Sequence, residues 1–203
     1  MSRYMHATWE NRMRLSRTAT LAATAAATLA VAVPAATAAP TTILATGGTT
    51  VDAAPALTAL GSLGVDVGLT GPASISGTEV TFPVTVGRLG VRNEIRHIGG
   101  LEFSAGGTTV GLSRYTIDLD AGVLTAQVSV DGQVLGRVPV FDLAPTQAPV
   151  LTRRTFSVQG VKVDLTQGAA DLLNKEFGVD AFTGDTPVGT ARVQSRVIVS
   201  FSW

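Results

Sequence analysis

Apolar and polar residues alternate along many short segments of this chain, and this pattern constrains the fold more than any other feature. In residues 80–86 the even-numbered positions are valine or phenylalanine, whereas the odd-numbered ones are threonine or proline. Residues 115–119 alternate in the same way, and the turn Asp120-Ala-Gly122 leads from them to the alternating segment 124–130. A period of two residues is that of a half-buried strand, and a short glycine-containing loop between two such segments predicts a hairpin.

Several other segments carry the same strand pattern. The turn signal Asp131-Gly132 leads toward a strand at residues 138–143. Pro83 predicts that the strand at 80–86 lies at a sheet edge, because proline donates no hydrogen bond to a ladder. We predict further strands at residues 101–105, 108–112, 154–158, 161–165 and 191–203.

Two segments predict helices instead. Asp52 is a suitable N-cap for a short helix at residues 53–60, which Gly61 or Gly64 would end. Thr166 is a suitable N-cap for a second helix that runs to Phe177 and is followed by a glycine. The second helix has an apolar stripe made of Ala169, Leu172, Leu173 and Phe177. Many short strands with glycine-rich turns and two small helices predict a mainly β fold, either an antiparallel β-sandwich or an open barrel.

The N-terminal residues have the order of a secretory signal peptide. Arg12, Arg14 and Arg17 precede an apolar run at residues 21–33, which is followed by the small-residue site Ala36-Thr-Ala38. That apolar run is shorter than the roughly 20 residues a membrane span needs. We therefore expect residues 1–38 to be removed on export.

We predict that the rest of the chain is a single secreted domain. Residues 39–203 show no linker or low-complexity tract, and their length suits one domain with a core of its own. The true start is expected at Met13, because a signal peptide beginning there has a compact basic segment. We expect the protein to be extracellular or associated with the cell envelope, with no transmembrane span after cleavage.

Charge and cysteine content exclude several functions. Residues 1–38 hold four of the 15 basic and one of the 15 acidic residues, which leaves 11 basic and 14 acidic residues in 39–203. A slight negative charge argues against nucleic acid or an anionic membrane as partner. The chain has no cysteine, so thiol catalysis and cysteine metal sites are excluded.

Histidine chemistry depends on one residue, because His97 is the only histidine in 39–203. There is no Gly-x-Ser-x-Gly elbow to accompany it in a catalytic triad. We expect His97 to be a partly exposed loop residue that hydrogen-bonds backbone. One histidine without cysteine also fails to supply the ligands that zinc needs.

The aspartate and glutamate positions indicate turns and exposed strand faces, and not catalytic or metal-binding sites. Asp118 and Asp120 resemble the start of a calcium loop, but the later oxygen ligands are missing, so we interpret them as a strand end and turn. An enzyme that works through Glu94 and Glu102 has no positive support, since nothing in the sequence pairs them. We predict no catalytic residues and no metal site.

One region is similar to a known family. Ile98 to Gly107, Val110 to Leu112, Tyr115 to Asp118 and Gly122 to Val128 resemble the middle of HtaA-like domains, which are haem-binding β-rich modules of actinobacterial cell envelopes. The segment Val163-Asp-Leu-Thr-Gln-Gly-Ala-Ala, with the later Phe177 and Phe182, is similar to the C-terminal helix and loop of that family. The resemblance covers about residues 75–185 and implies a β-rich envelope protein.

The family's haem ligands do not carry over to this chain. HtaA-like domains hold haem with a tyrosine near the start and a histidine after the Gly-rich strand. Residues 41–65 contain no tyrosine here, and Ala105 follows Phe103-Ser104 where a histidine would stand. Only His97 and Tyr115 remain as haem-ligand candidates in 39–203. Burial would raise the pKa of the Tyr115 phenol, so the sequence predicts weak or no specific haem binding.

The sequence thus leaves two functions open. The first is a secreted, non-catalytic β-domain that acts as a binding or structural module for an unknown extracellular or envelope ligand, with no cofactor. The alternative is a carrier of haem or of a small hydrophobic ligand.

Overall fold

Twelve strands hydrogen-bond into one antiparallel sheet in the computed structural model, which describes residues 43–90 and 92–199. In chain order, the strands are β1 Ile43–Asp52, β2 Asp66–Thr70, β3 Ser74–Ser76, β4 Glu79–Leu89, β5 Glu94–His97, β6 Gly100–Ala105, β7 Thr108–Asp118, β8 Val123–Val130, β9 Gln133–Pro145, β10 Val150–Leu151, β11 Thr155–Leu165 and β12 Pro187–Val199. The helices are α1 Ala54–Ser62 and α2 Gln167–Phe177.

Eight of these strands form a closed barrel. Around the ring the order is β7, β5, β4, β1, β12, β11, β9 and β8, and the pairing of β7 with β8 closes it. The sandwich and the open barrel predicted from the sequence are therefore corrected to a closed barrel, whereas the mainly β class with two helices is confirmed. A closed ring leaves no free edges among its members.

Strand β7 belongs to both the ring and a neighbouring group of strands, because its two halves have different partners along one edge. Thr108–Ser113 pairs with β6, whereas Thr116–Asp118 pairs with β5. Arg114 lies between the halves with a φ of 52°, where the register with β8 also shifts. Such a bulge bends the strand. The first half thus continues into a wing made of β6 and β2, while the second half stays in the barrel.

The predicted strands and hairpins are found with three differences. The segments 108–112 and 115–119 are joined in β7, and 154–158 and 161–165 are joined in β11. Pro83 does not mark an edge strand, since β4 pairs with β1 and β5. Its own position lies between the stretches that pair with β3 and with β5, so no ladder bond from its nitrogen is needed there.

The helices begin and end close to their predicted positions. Thr166 caps α2 by accepting the Ala169 N–H at 3.2 Å, and Gly178 ends it with a φ of 64°. Helix α1 starts one residue later than predicted, with Ala53 at the N-cap position. Asp52 still contributes, because its carboxylate accepts the Ala54 N–H at 3.2 Å.

Two apolar clusters form the core. One lies inside the barrel and includes Ile95, Ile117 and Val193. The other lies between the helices and the sheet, where the α2 stripe packs with Phe103 and Val110. The predicted signal peptide 1–38, the start at Met13 and residues 200–203 of the predicted last strand lie outside the described residues.

Candidate functional site

The barrel encloses a cavity of about 450 Å³. All eight barrel strands contribute to its wall, and most of the lining side chains are valine, leucine, isoleucine or phenylalanine. This volume falls within the roughly 300–1,000 Å³ of small-molecule sites, which are typically apolar with few polar groups. One end is lined by exposed residues such as Gly90, Asp120 and Pro149, and we call this end the mouth.

His97 is a buried member of the barrel wall. It ends strand β5 opposite Val84, lines the cavity and is only 4% exposed. The expectation of a partly exposed loop residue bonded to backbone is therefore wrong. Ile95 and His97 lie on the inner face of β5 while Arg96 between them is exposed, so the strand turns the imidazole inward.

The imidazole has one polar partner among the described residues. Its Nε2 lies 2.7 Å from Oγ1 of the buried Thr49 in strand β1, and its Nδ1 has no hydrogen-bond partner. Burial lowers the pKa of His97 to about 4, so the ring is neutral at physiological pH. A neutral ring carries one N–H and one lone pair. Nδ1 therefore offers a lone pair if Nε2 donates to Thr49, or an N–H if Thr49 donates to Nε2.

Tyr115 borders the same cavity, and its ring is buried as the alternating pattern predicts. It is 3% exposed, and its ring packs edge-on against Phe82 with centroids 5.1 Å apart. The phenol donates a hydrogen bond to the Leu112 carbonyl oxygen at 2.9 Å. Burial raises the pKa of Tyr115, so the phenol stays protonated. His97 and Tyr115 thus meet at one cavity, but only His97 has a free polar atom.

Ser195 is a polar residue of the barrel that sequence reasoning missed. It is 6% exposed and its hydroxyl has no hydrogen-bond partner among the described residues. Its neighbours at two-residue spacing, Val193 and Val197, belong to the apolar barrel cluster. The sequence did offer one signal, namely a serine at a position of segment 193–197 where the alternation places an apolar residue. An unpaired buried hydroxyl costs about 1–3 kcal/mol, which an ordered water would offset, since Ser195 is not part of the cavity wall.

The acidic residues at the mouth are held in turns. Asp118 accepts the backbone N–H groups of Asp120 and Ala121, and Asp120 accepts the Asn93 amide at 2.8 Å. The turn interpretation of this segment is therefore confirmed. Within residues 43–90 and 92–199 no group of three or more histidine, cysteine or carboxylate side chains is arranged to hold a metal ion.

The two glutamates considered for an enzyme lie apart from this cavity. Glu94 forms ion pairs with Arg88 and Arg96 at 3.0 and 3.2 Å. Glu102 lies in the β6 wing opposite Gly111. Neither glutamate is part of the cavity wall.

The described helices include none that is both long and apolar enough to span a membrane.

Fold and cavity together define a class, that of closed antiparallel β-barrels with an internal apolar cavity. The C-terminal domain of HtaA from Corynebacterium glutamicum is similar, with a TM-score of 0.57, 16% identity, and coverage of 76% of this chain and 99% of that one. The haem-binding protein HtaB from the same organism is similar with a TM-score of 0.53 and 13% identity, over 78% of this chain and 96% of that one.

A domain-swapped dimeric variant of the HtaA domain is similar at a TM-score of 0.51 and 20% identity, over 71% of this chain and 90% of that one. No family model and no curated protein sequence matches the chain. At these identities the likeness establishes the fold. The chain has an HtaA-like fold, as the sequence resemblance implied.

Proposed function

We propose that this protein is a non-catalytic carrier that binds haem in its barrel cavity. The observation that carries the proposal is the buried His97 imidazole, whose Nδ1 has no described partner, beside an apolar cavity of about 450 Å³. The similarity to HtaB, a haem-binding protein, favours haem among hydrophobic ligands of this size. The carrier, which was the alternative from the sequence, thus replaces the generic binding or structural module as our preferred function.

His97 is the residue that would hold the haem iron. Haem iron takes axial ligands with an available lone pair, such as a histidine nitrogen or a tyrosine phenolate. A neutral His97 supplies such a nitrogen when Nε2 donates its proton to Thr49. Tyr115 stays protonated and bonded to Leu112, so it serves as wall and not as ligand. This assignment departs from the tyrosine and histidine positions of HtaA-like domains.

A haemin titration tests this assignment. We expect the purified protein to give a sharp Soret shift with a dissociation constant of about 1 μM or tighter. His97→Ala should weaken haemin binding by about 100-fold, because the only free imidazole of the cavity is lost. Tyr115→Phe keeps the ring and removes the phenol, so it is the matched control and should change affinity by less than about threefold.

Metal-free protoporphyrin separates coordination from apolar packing. It should bind wild type and His97→Ala equally, because it offers no iron to the imidazole. Unchanged haemin affinity in His97→Ala, or a large loss in Tyr115→Phe, would contradict the assignment of His97. Failure of both porphyrins to bind would contradict the carrier function itself.

Export remains part of the proposed function. A carrier that works outside the cell needs the signal peptide at residues 1–38. We expect mass spectrometry of the culture medium and envelope fraction to find an N-terminus at Ala39, within one residue. Recovery of an intact N-terminus on protein from the cytoplasm only would contradict this localisation.

A further inference from the structure

A second apolar cavity adjoins the barrel cavity. It measures about 90 Å³ and lies between α1, α2 and the sheet. Its lining includes Leu57 from α1 and Leu172 from α2. Five residues line both cavities, namely Ala53, Val80, Leu101, Phe141 and Val188. The two cavities therefore share part of their walls at the end of the barrel opposite the mouth.

We propose that the two cavities form one elongated site for a single-chain lipid with an uncharged polar head. This inference rests on the proposed use of the barrel cavity as a ligand site, and it names a second ligand class for that cavity. The chain would enter at the mouth and end beneath the helices.

The shape of the site favours a long chain. Strand β4 has 11 residues, which at about 3.3 Å per residue and a tilt of about 40° span roughly 25 Å of barrel height. Val80, which lines both cavities, lies near one end of this strand, and Gly90 of the mouth follows the other end. A linear apolar chain uses this whole length, whereas a flat ligand occupies the wider barrel alone.

Two of the five shared residues have side chains that are able to change rotamer. Leu101 and Phe141 are only partly buried, and neither has a polar group to desolvate. Side chains of this kind rearrange on a nanosecond timescale when they are not tightly packed. The second cavity then offers a chain terminus an almost wholly apolar end point.

The charge of the mouth selects the head group. Asp118 and Asp120 line the cavity at this end, and Asn93 adds an amide beside them. Two carboxylates at the entrance disfavour a fatty-acid carboxylate by like-charge repulsion. A glycerol head, with hydroxyl donors and no charge, satisfies these acceptors without that repulsion.

Displacement of the fluorescent probe N-phenyl-1-naphthylamine by 1-monoacylglycerols of 10 to 16 carbons tests the proposal. We expect wild-type affinity to rise with chain length through 16 carbons, by up to about fourfold for each methylene. The anion palmitate should bind at least about tenfold more weakly than the 16-carbon monoacylglycerol. Equal affinities across the chain lengths would overturn the joined site, and tighter palmitate binding would overturn the head-group assignment.

Leu172→Trp fills the second cavity from α2 and is the test variant. It should lower the ratio of 16-carbon to 10-carbon affinity by about tenfold or more while leaving 10-carbon affinity unchanged, which also reports that the barrel is folded. Lys175→Trp, at an exposed position of the same helix, is the matched control and should leave the ratio unchanged. Ala59→Phe fills the same cavity from α1 and replaces Leu172→Trp if that variant does not fold.

Haemin separates this inference from the proposed function. It should bind wild type and Leu172→Trp equally, because the second cavity lies beyond the barrel. Haemin binding without monoacylglycerol binding would overturn the lipid proposal and leave the haem carrier intact. An unchanged chain-length ratio in Leu172→Trp would overturn the joined site.

Discussion

Gly47→Ala is expected to destabilise the fold by about 3 kcal/mol or more, because a methyl group there would collide with the backbone of a neighbouring strand. A Cβ at Gly47 would overlap the Gln194 carbonyl oxygen and lie 2.7 Å from the Ser195 Cα. Both atoms belong to the backbone of β12, which pairs with β1 along its whole length. Relief therefore requires the two strands to separate, and overpacking against backbone is costly.

Gly48→Ala is the matched control for this prediction. The adjacent position would bring its Cβ no closer than 3.6 Å to the Thr81 side chain, an ordinary contact. Urea unfolding of both variants should show a midpoint well below wild type for Gly47→Ala and a shift equivalent to less than about 1 kcal/mol for Gly48→Ala. Equal stability of the two variants would mean that β1 and β12 do not approach as closely as described.

Acidification from pH 7 to pH 4 is expected to cost about 3 kcal/mol of stability through His97 alone. Burial lowers the pKa of His97 to about 4 in the folded protein, against about 6.5 in the unfolded chain. Between these values the unfolded chain binds more protons, so the free energy of unfolding falls as the pH falls. The loss begins below about pH 6.5, grows by roughly 1.4 kcal/mol per pH unit and levels off below about pH 4.

The variant His97→Gln isolates this contribution, because the carboxylates titrate equally in both proteins. The difference in unfolding free energy between wild type and His97→Gln should shift by about 3 kcal/mol between pH 7 and pH 4, with wild type losing more. Tyr115→Phe should follow wild type over the same range, since the phenol does not titrate there. Parallel curves for wild type and His97→Gln would show that the imidazole is protonated without cost and is therefore hydrated.

Local elements were predictable where neighbouring residues alone specify them. The alternation in residues 115–119 and 124–130 predicted the β7–β8 hairpin, and Thr166 with Gly178 predicted the ends of α2. Strand β1 was not predicted, because the pair Gly47-Gly48 interrupts its apolar pattern. That strand supplies Thr49, so the partner of His97 was missed together with it.

The candidate site was predictable in its residues but not in its geometry. Elimination left His97 and Tyr115 as the haem-ligand candidates in residues 39–203, and both border the cavity. The burial of His97 was missed because β5 has four residues, too few for alternation to separate a strand from a loop. Its place in the wall depends on pairing with Val84 of β4, which lies 13 residues earlier in the chain. Ser195 was missed because a serine in a strand is ordinary until its surroundings are known.

The sequence by itself determined the mainly β class and the positions of two helices. It also determined which face of each recognisable strand is apolar. These properties follow from the two-residue and 3.6-residue periods, which are local. Only the tertiary structure decided that the strands close into a barrel, that a cavity remains inside it and that His97 faces Thr49. Apolar alternation is satisfied equally by a sandwich and by a barrel. The choice depends on which distant strands pair, as when Arg114 lets one edge of β7 serve two partners.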